Sequence, residues 1–119
     1  MKVICTKVPA APAGEVEVES AWVTVDSEYH VASVLAEPDR QVQIQIVTDD
    51  GRSLAWFDST NFMTVDGAMP ESWTARIGEG GVLELGPAAW LAPGFWEAYY
   101  DGDPSAADAV EEKLRVLIG

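Results

Sequence analysis

Residues 41–48 limit what this chain can fold into more than any other stretch. Val42, Ile44 and Ile46 alternate with Gln41, Gln43 and Gln45. A period of two places the aliphatic side chains on one face of a strand and the amides on the other, whereas a helix would scatter both sets around its circumference. Asp49-Asp50-Gly51 follows directly. An Asp-Gly pair between apolar runs supplies the positive φ that a tight turn needs, so a hairpin is expected. Residues 54–58 are the return strand, with Leu54 and Trp56 on one face and Ala55 and Phe57 on the other.

Strand signals extend from here in both directions. Residues 29–35 are apolar on both faces and read as a central strand, with Tyr29, Val31 and Leu35 together, Ser33 interrupting them, and His30, Ala32 and Val34 opposite. Pro38 lacks a backbone N–H and restrains the residue before it, which ends this strand. Downstream, 62–65 is a short strand, Asp66-Gly67 a turn, 73–77 a strand, Glu79-Gly80-Gly81 a hairpin turn and 82–85 its partner. Residues 1–8 add a strand at the start, with Val3 and Cys5 on one face.

The last third changes character. Gly86-Pro87 reads as a break in the sheet, 88–91 as one helical turn and 95–100 as a short helix after Pro93-Gly94. Asp103-Pro104 is a helix start: the carboxylate caps free N–H groups and proline suits the first helical position. Ala107, Val110, Leu114 and Leu117 then form an apolar stripe, and Glu111 precedes Arg115 by one turn in the favourable order. The expected fold is mainly β (α+β): a small antiparallel SH3-like barrel or strongly bent sheet with a C-terminal helix packed on it. The whole chain, 1–119, is expected to form one domain, β-rich to about 85 and helical from about 87.

Composition narrows the function classes. The net charge is −13, from 20 acidic and 7 basic residues. Such a balance argues against nucleic acid and anionic membranes as partners, and is compatible with a basic protein or with solubility alone. No apolar run is long enough for a membrane helix, and the start lacks the apolar core of a signal peptide, so a cytoplasmic location is expected. The single cysteine, Cys5, lies in an apparent strand and reads as a buried structural thiol.

Three segments invite a functional reading. Glu15, Glu17 and Glu19 alternate with Val16 and Val18, which would line three carboxylates along one strand face. A row of like charges repels itself and must face solvent or a cation; an edge strand guarded by charge is the structural alternative. Trp90, Phe95, Trp96, Tyr99 and Tyr100 crowd into eleven residues beside Glu97, Asp101 and Asp103. Density of this kind has the composition of a recognition hot spot with an acidic rim. Trp90 and Phe95 are assigned to the core, while Trp96, Tyr99 and Tyr100 are left between core and surface. Finally, Asp101, Asp103, Ser105 and Glu112 match some positions of a calcium loop, but Ala106 occupies the glycine position and a helix from Pro104 would carry Glu112 away. No metal, cofactor or catalytic pattern is assigned. His30, the only histidine, reads as a half-buried sheet residue.

The segment 23–77 contains Tyr29-His30-Val31, Asp49-Asp50-Gly51 and the run Phe62…Val65…Met69-Pro70-Glu71-Ser72-Trp73. Together with the tail from Pro93 to Asp103, it resembles a class of small acidic bacterial proteins. Some members of such groups look like immunity proteins of contact-dependent or polymorphic toxin systems. The resemblance implies an SH3-like fold and a non-enzymatic role, and it transfers no functional residue.

The leading expectation is therefore a non-enzymatic protein-binding module, with an immunity protein that occludes a basic toxin as its specific form. The candidate partner-binding residues are Glu15, Glu17, Glu19, Trp96, Glu97, Tyr99, Tyr100, Asp101 and Asp103. Two other readings stay open: a small hydrolase using a carboxylate pair, and a self-associating structural protein that dimerises through exposed aromatics or an edge strand.

Overall fold

A computed structural model describes residues 1–7, 23–51 and 53–118. The acidic segment Glu15, Glu17 and Glu19 lies outside the described residues. Seven strands are observed among them: β1 (Lys2–Cys5), β2 (Glu28–Ala36), β3 (Gln43–Val47), β4 (Leu54–Asp58), β5 (Phe62–Asp66), β6 (Trp73–Ile77) and β7 (Leu83–Pro87). Two α-helices follow, α1 (Phe95–Tyr100) and α2 (Pro104–Ile118). Among the described residues three 3₁₀ turns, Ser59–Asn61, Glu79–Gly81 and Ala88–Leu91, punctuate the connections.

All pairings are antiparallel, and β2 organises them. One edge of β2 pairs with β3, from Val31 opposite Ile46 to Leu35 opposite Gln43. Its other edge is shared: the first half pairs with β1 (His30 opposite Lys2) and the second half with β7 (Val34 opposite Leu85). β5 extends the sheet from β1, β4 from β3, and β6 from β7. The sheet stays open, so the α+β fold takes the open form and not that of a closed barrel.

A register shift between Val31 and Ser33 corrects the sequence reading of β2. One extra residue reverses which face later side chains occupy. Tyr29 and Val31 belong with Ile44, Ile46 and Phe62 in one apolar cluster, and Val34 packs against that same cluster despite its even number. Ala32 lies with Val47, Trp90, Val110 and Leu114 in a second cluster. Ser33 therefore does not interrupt an apolar face; its Oγ donates to the buried Oε1 of Gln45 at 2.7 Å.

The two clusters carry the fold. The first also holds Val3, Val23 and Cys5, and Val31, Ile46 and Cys5 are fully buried in it. Burying a side chain such as Ile46 contributes about 1.5–3 kcal/mol. The second cluster lies where the helices cover the sheet. Asp103 caps α2 as expected, its Oδ1 accepting from the Ser105 N–H at 2.9 Å. The buried stripe of α2 runs through Ala106, Val110 and Leu114, and Ala107 is exposed, which moves the start of the expected stripe by one residue. The Glu111–Arg115 pair forms at 3.3 Å on the outer face.

Gly86-Pro87 does not end the sheet. Both residues continue β7, opposite Thr74 and Trp73. Glycine is required there for closeness: a Cβ on Gly86 would lie 2.9 Å from Cβ of Ser33 on the neighbouring strand. The β3–β4 hairpin turns at Gly51, whose φ is +72°. Asp50 Oδ1 tightens the turn by accepting from the Ser53 N–H at 2.7 Å.

Candidate functional site

The first α-helix places its aromatic residues by its own periodicity. Trp96 and Tyr100 are one turn apart and share a face, with ring centroids 6.1 Å apart. Trp96 also meets Trp90 edge-on at 5.4 Å, Phe95 at 5.1 Å and Tyr99 at 5.4 Å. Edge-to-face geometry at these distances is the favoured way for aromatic quadrupoles to pack. The cluster is thus a graded stack. Trp90 is buried, Phe95, Trp96 and Tyr99 are half-buried against the second apolar cluster, and Tyr100 is 68% exposed.

This stack forms one wall of an open cleft of about 310 Å³. Trp90, Trp96 and Tyr100 line it together with Trp56 from β4, with Ser33 and Glu84 among the other lining residues. Trp56 is 38% exposed, a high value for an indole on the covered face of a sheet. A further depression, lined by Glu37, Arg40 and Gln43, shares Leu35 and Trp56 with the cleft and extends the groove along the sheet. Glu97, Asp101 and Asp103 are exposed on and just beyond α1. Asp103 is partly committed to capping α2, whereas Glu97 and Asp101 make no side-chain ion pair among the described residues. Arg76 spans one end of the cleft: it donates to the Leu91 carbonyl at 2.6 Å and lies 3.9 Å from the Glu84 carboxylate.

Of the expected partner-binding residues, Trp96, Glu97, Tyr99, Tyr100 and Asp101 fall in one region beside this cleft. Trp56 and Glu84 were not anticipated. The sharing of one face by Leu54, Trp56 and Gln45 was a signal for Trp56, because Gln45 turns out to lie wholly buried on the helix-covered side. That face also carries two buried polar atoms without partners among the described residues, Gln45 Nε2 and the indole Nε1 of Trp90.

Trp90 separates this cleft from another of about 310 Å³, lined by Lys2, His30, Asp66, Trp73 and Lys113 among others. Partial burial, then the positive charges of Lys2 and the chain's amino group, hold the His30 imidazole below its ordinary pKa. Elsewhere, burial pushes the Cys5 thiol up, which keeps it protonated, and its Sγ donates to the Lys7 carbonyl at 3.4 Å. Burial and then the hydrogen bond that Tyr29 donates to Asp49, 2.6 Å long, raise the phenol's pKa. Among the described residues no group of three or more His, Cys, Asp or Glu is arranged to hold a metal, and no helix is long and apolar enough to cross a membrane.

Comparison with known proteins adds no relative: no family model, no curated protein and no solved structure matches the chain.

Proposed function

We propose that the chain is a non-enzymatic protein-binding module that recognises a basic partner through the aromatic cleft between β4 and α1. One observation carries this reading. Tyr100 and Trp56 stay exposed in the lining of one cleft that buried Trp90 also lines, and Glu97 and Asp101 are exposed on and just after the same helix as Tyr100. Exposed Trp and Tyr in a concave site is the composition of an interface hot spot. An overall charge of −13 favours a cationic partner by steering its approach. Arg or Lys side chains suit the cleft itself, because a guanidinium or ammonium is attracted to the faces of indole and phenol rings. Neutralisation of a basic toxin in the cytoplasm, as an immunity protein, is the specific form of the proposal; the sequence resemblance supports it.

The test is capture from the host's own extract at low salt, comparing the wild-type protein with Trp56→Ser and Tyr100→Ser. A basic protein retained by the wild type and lost by both variants is the expected outcome. Equal retention by all three would place recognition elsewhere.

Self-association has an observation of its own. β5 pairs with β1 alone among the described strands and exposes Met63 (63%) and Val65 (53%). Sedimentation at micromolar concentration separates this reading: a monomer in the wild type removes it.

A further inference from the structure

The cleft on the far side of Trp90 differs chemically from the one assigned to partner recognition. Two of the chain's seven Lys and Arg residues, Lys2 from β1 and Lys113 from α2, line it together with its only histidine. Neither lysine forms an ion pair among the described residues. Asp66 is the single carboxylate in the lining, and Trp73 is among the residues that supply apolar wall. Trp90 lines this cleft as well, and its indole N–H, on a residue only 2% exposed, has no acceptor among the described residues. Indole nitrogen and ammonium groups can only donate hydrogen bonds. Apolar walls with a few convergent polar groups describe a small-molecule site, and the volume lies at the small end of such sites.

We infer that this cleft binds a small organic anion, a carboxylate on a compact apolar body, with Lys2 and Lys113 holding the carboxylate and Trp73 and Trp90 contacting the body. The repulsion expected from the protein's net charge does not prevent this. Screening confines the field of distant surface carboxylates to about 8 Å at physiological salt, so the nearest charges decide. Among the charged side chains lining the cleft, two are cationic and one anionic, and the amino group of Met1 adds positive charge beside His30. The inference does not depend on the protein-binding proposal, which uses the opposite side of Trp90.

Phenylacetate and its uncharged isostere phenylacetamide are suitable probes, read by calorimetry and by the ring signals of His30, which are unambiguous because the chain has one histidine. Saturable phenylacetate binding is expected, with the amide weaker by about tenfold or more, the loss of one charged hydrogen bond. Bound anion should also raise the pKa of His30 in the titration of its ring signals. Lys2→Met with Lys113→Met should weaken phenylacetate by about tenfold or more and leave phenylacetamide unchanged, while Tyr100→Ser should alter neither. Circular dichroism checks that the double variant folds; if it does not, the carboxylate–amide comparison on the wild type still decides. Equal affinity for the two probes would overturn the inference. So would the absence of a saturable His30 shift up to about 10 mM, beyond the millimolar range of the weakest specific sites, or loss of binding in Tyr100→Ser.

Discussion

The two faces of β2 are built to different standards. On one, Val31, Ile46 and Cys5 are fully buried, Tyr29 and Phe62 meet edge-on at 6.5 Å, and Tyr29 places its hydroxyl on Asp49. No side chain of that cluster leaves a buried polar atom without a partner. On the other, Gln45 and Trp90 each carry a buried N–H without an acceptor among the described residues, and open clefts flank Trp90. Native interiors satisfy nearly all their buried polar groups, so the second face is the less completely satisfied of the two. The first face makes the fold; the second presents it.

Substitutions of decreasing effect can break this contrast or sharpen it. Ile46→Ala should cost the most, about 2–5 kcal/mol of unfolding free energy in denaturant, because it leaves a cavity in a fully packed site. A loss below about 1 kcal/mol would show the first face to be loosely packed, since even the milder Ile→Val change commonly costs that much. Gly86→Ala tests the strand contact behind the second face. Its new methyl must displace Ser33, and a loss of about 1–3 kcal/mol is expected from overpacking. Asp103→Ala removes the cap that positions α2 over that face and should cost about 1 kcal/mol, measured the same way.

The smallest effect is electrostatic. His30 titrates below its ordinary value in the folded protein, so between that lower pKa and about 6.5 the unfolded chain binds more protons. Its contribution to stability is complete above about pH 6.5 and is lost as pH falls through the folded value. The charged groups around His30 are Lys2 from β1, the amino group of Met1, Asp66 from β5 and Lys113 from α2. His30→Gln should therefore lose slightly less in melting temperature than the wild type between about pH 7.5 and about pH 5.5. An equal loss in both would mean that the imidazole is not held neutral.

Much of the element order was legible in the sequence. Strands 54–58 and 73–77 and the helix 95–100 fall where alternation and turn residues place them, because those signals are local. Asp103-Pro104 marked the start of α2 for the same reason. What stayed hidden depends on partners distant in the chain. A bulge at Ser33 reverses the faces of β2, and nothing within residues 29–35 reveals it without β3 alongside. Gly86-Pro87 looks like a breaker until β6 and Ser33 are beside it. The lining of one cleft by Trp56, Trp96 and Tyr100 joins residues about forty positions apart, which no periodicity encodes.

The indole N–H signals of an isotope-labelled sample test the recognition face most directly, during titration with an arginine-rich peptide. Saturable shifts at Trp56 and Trp96, with Trp73 unmoved as the internal reference, are the expected result. Shifts spread evenly over the acidic surface, with Trp56 and Trp96 silent, would contradict it.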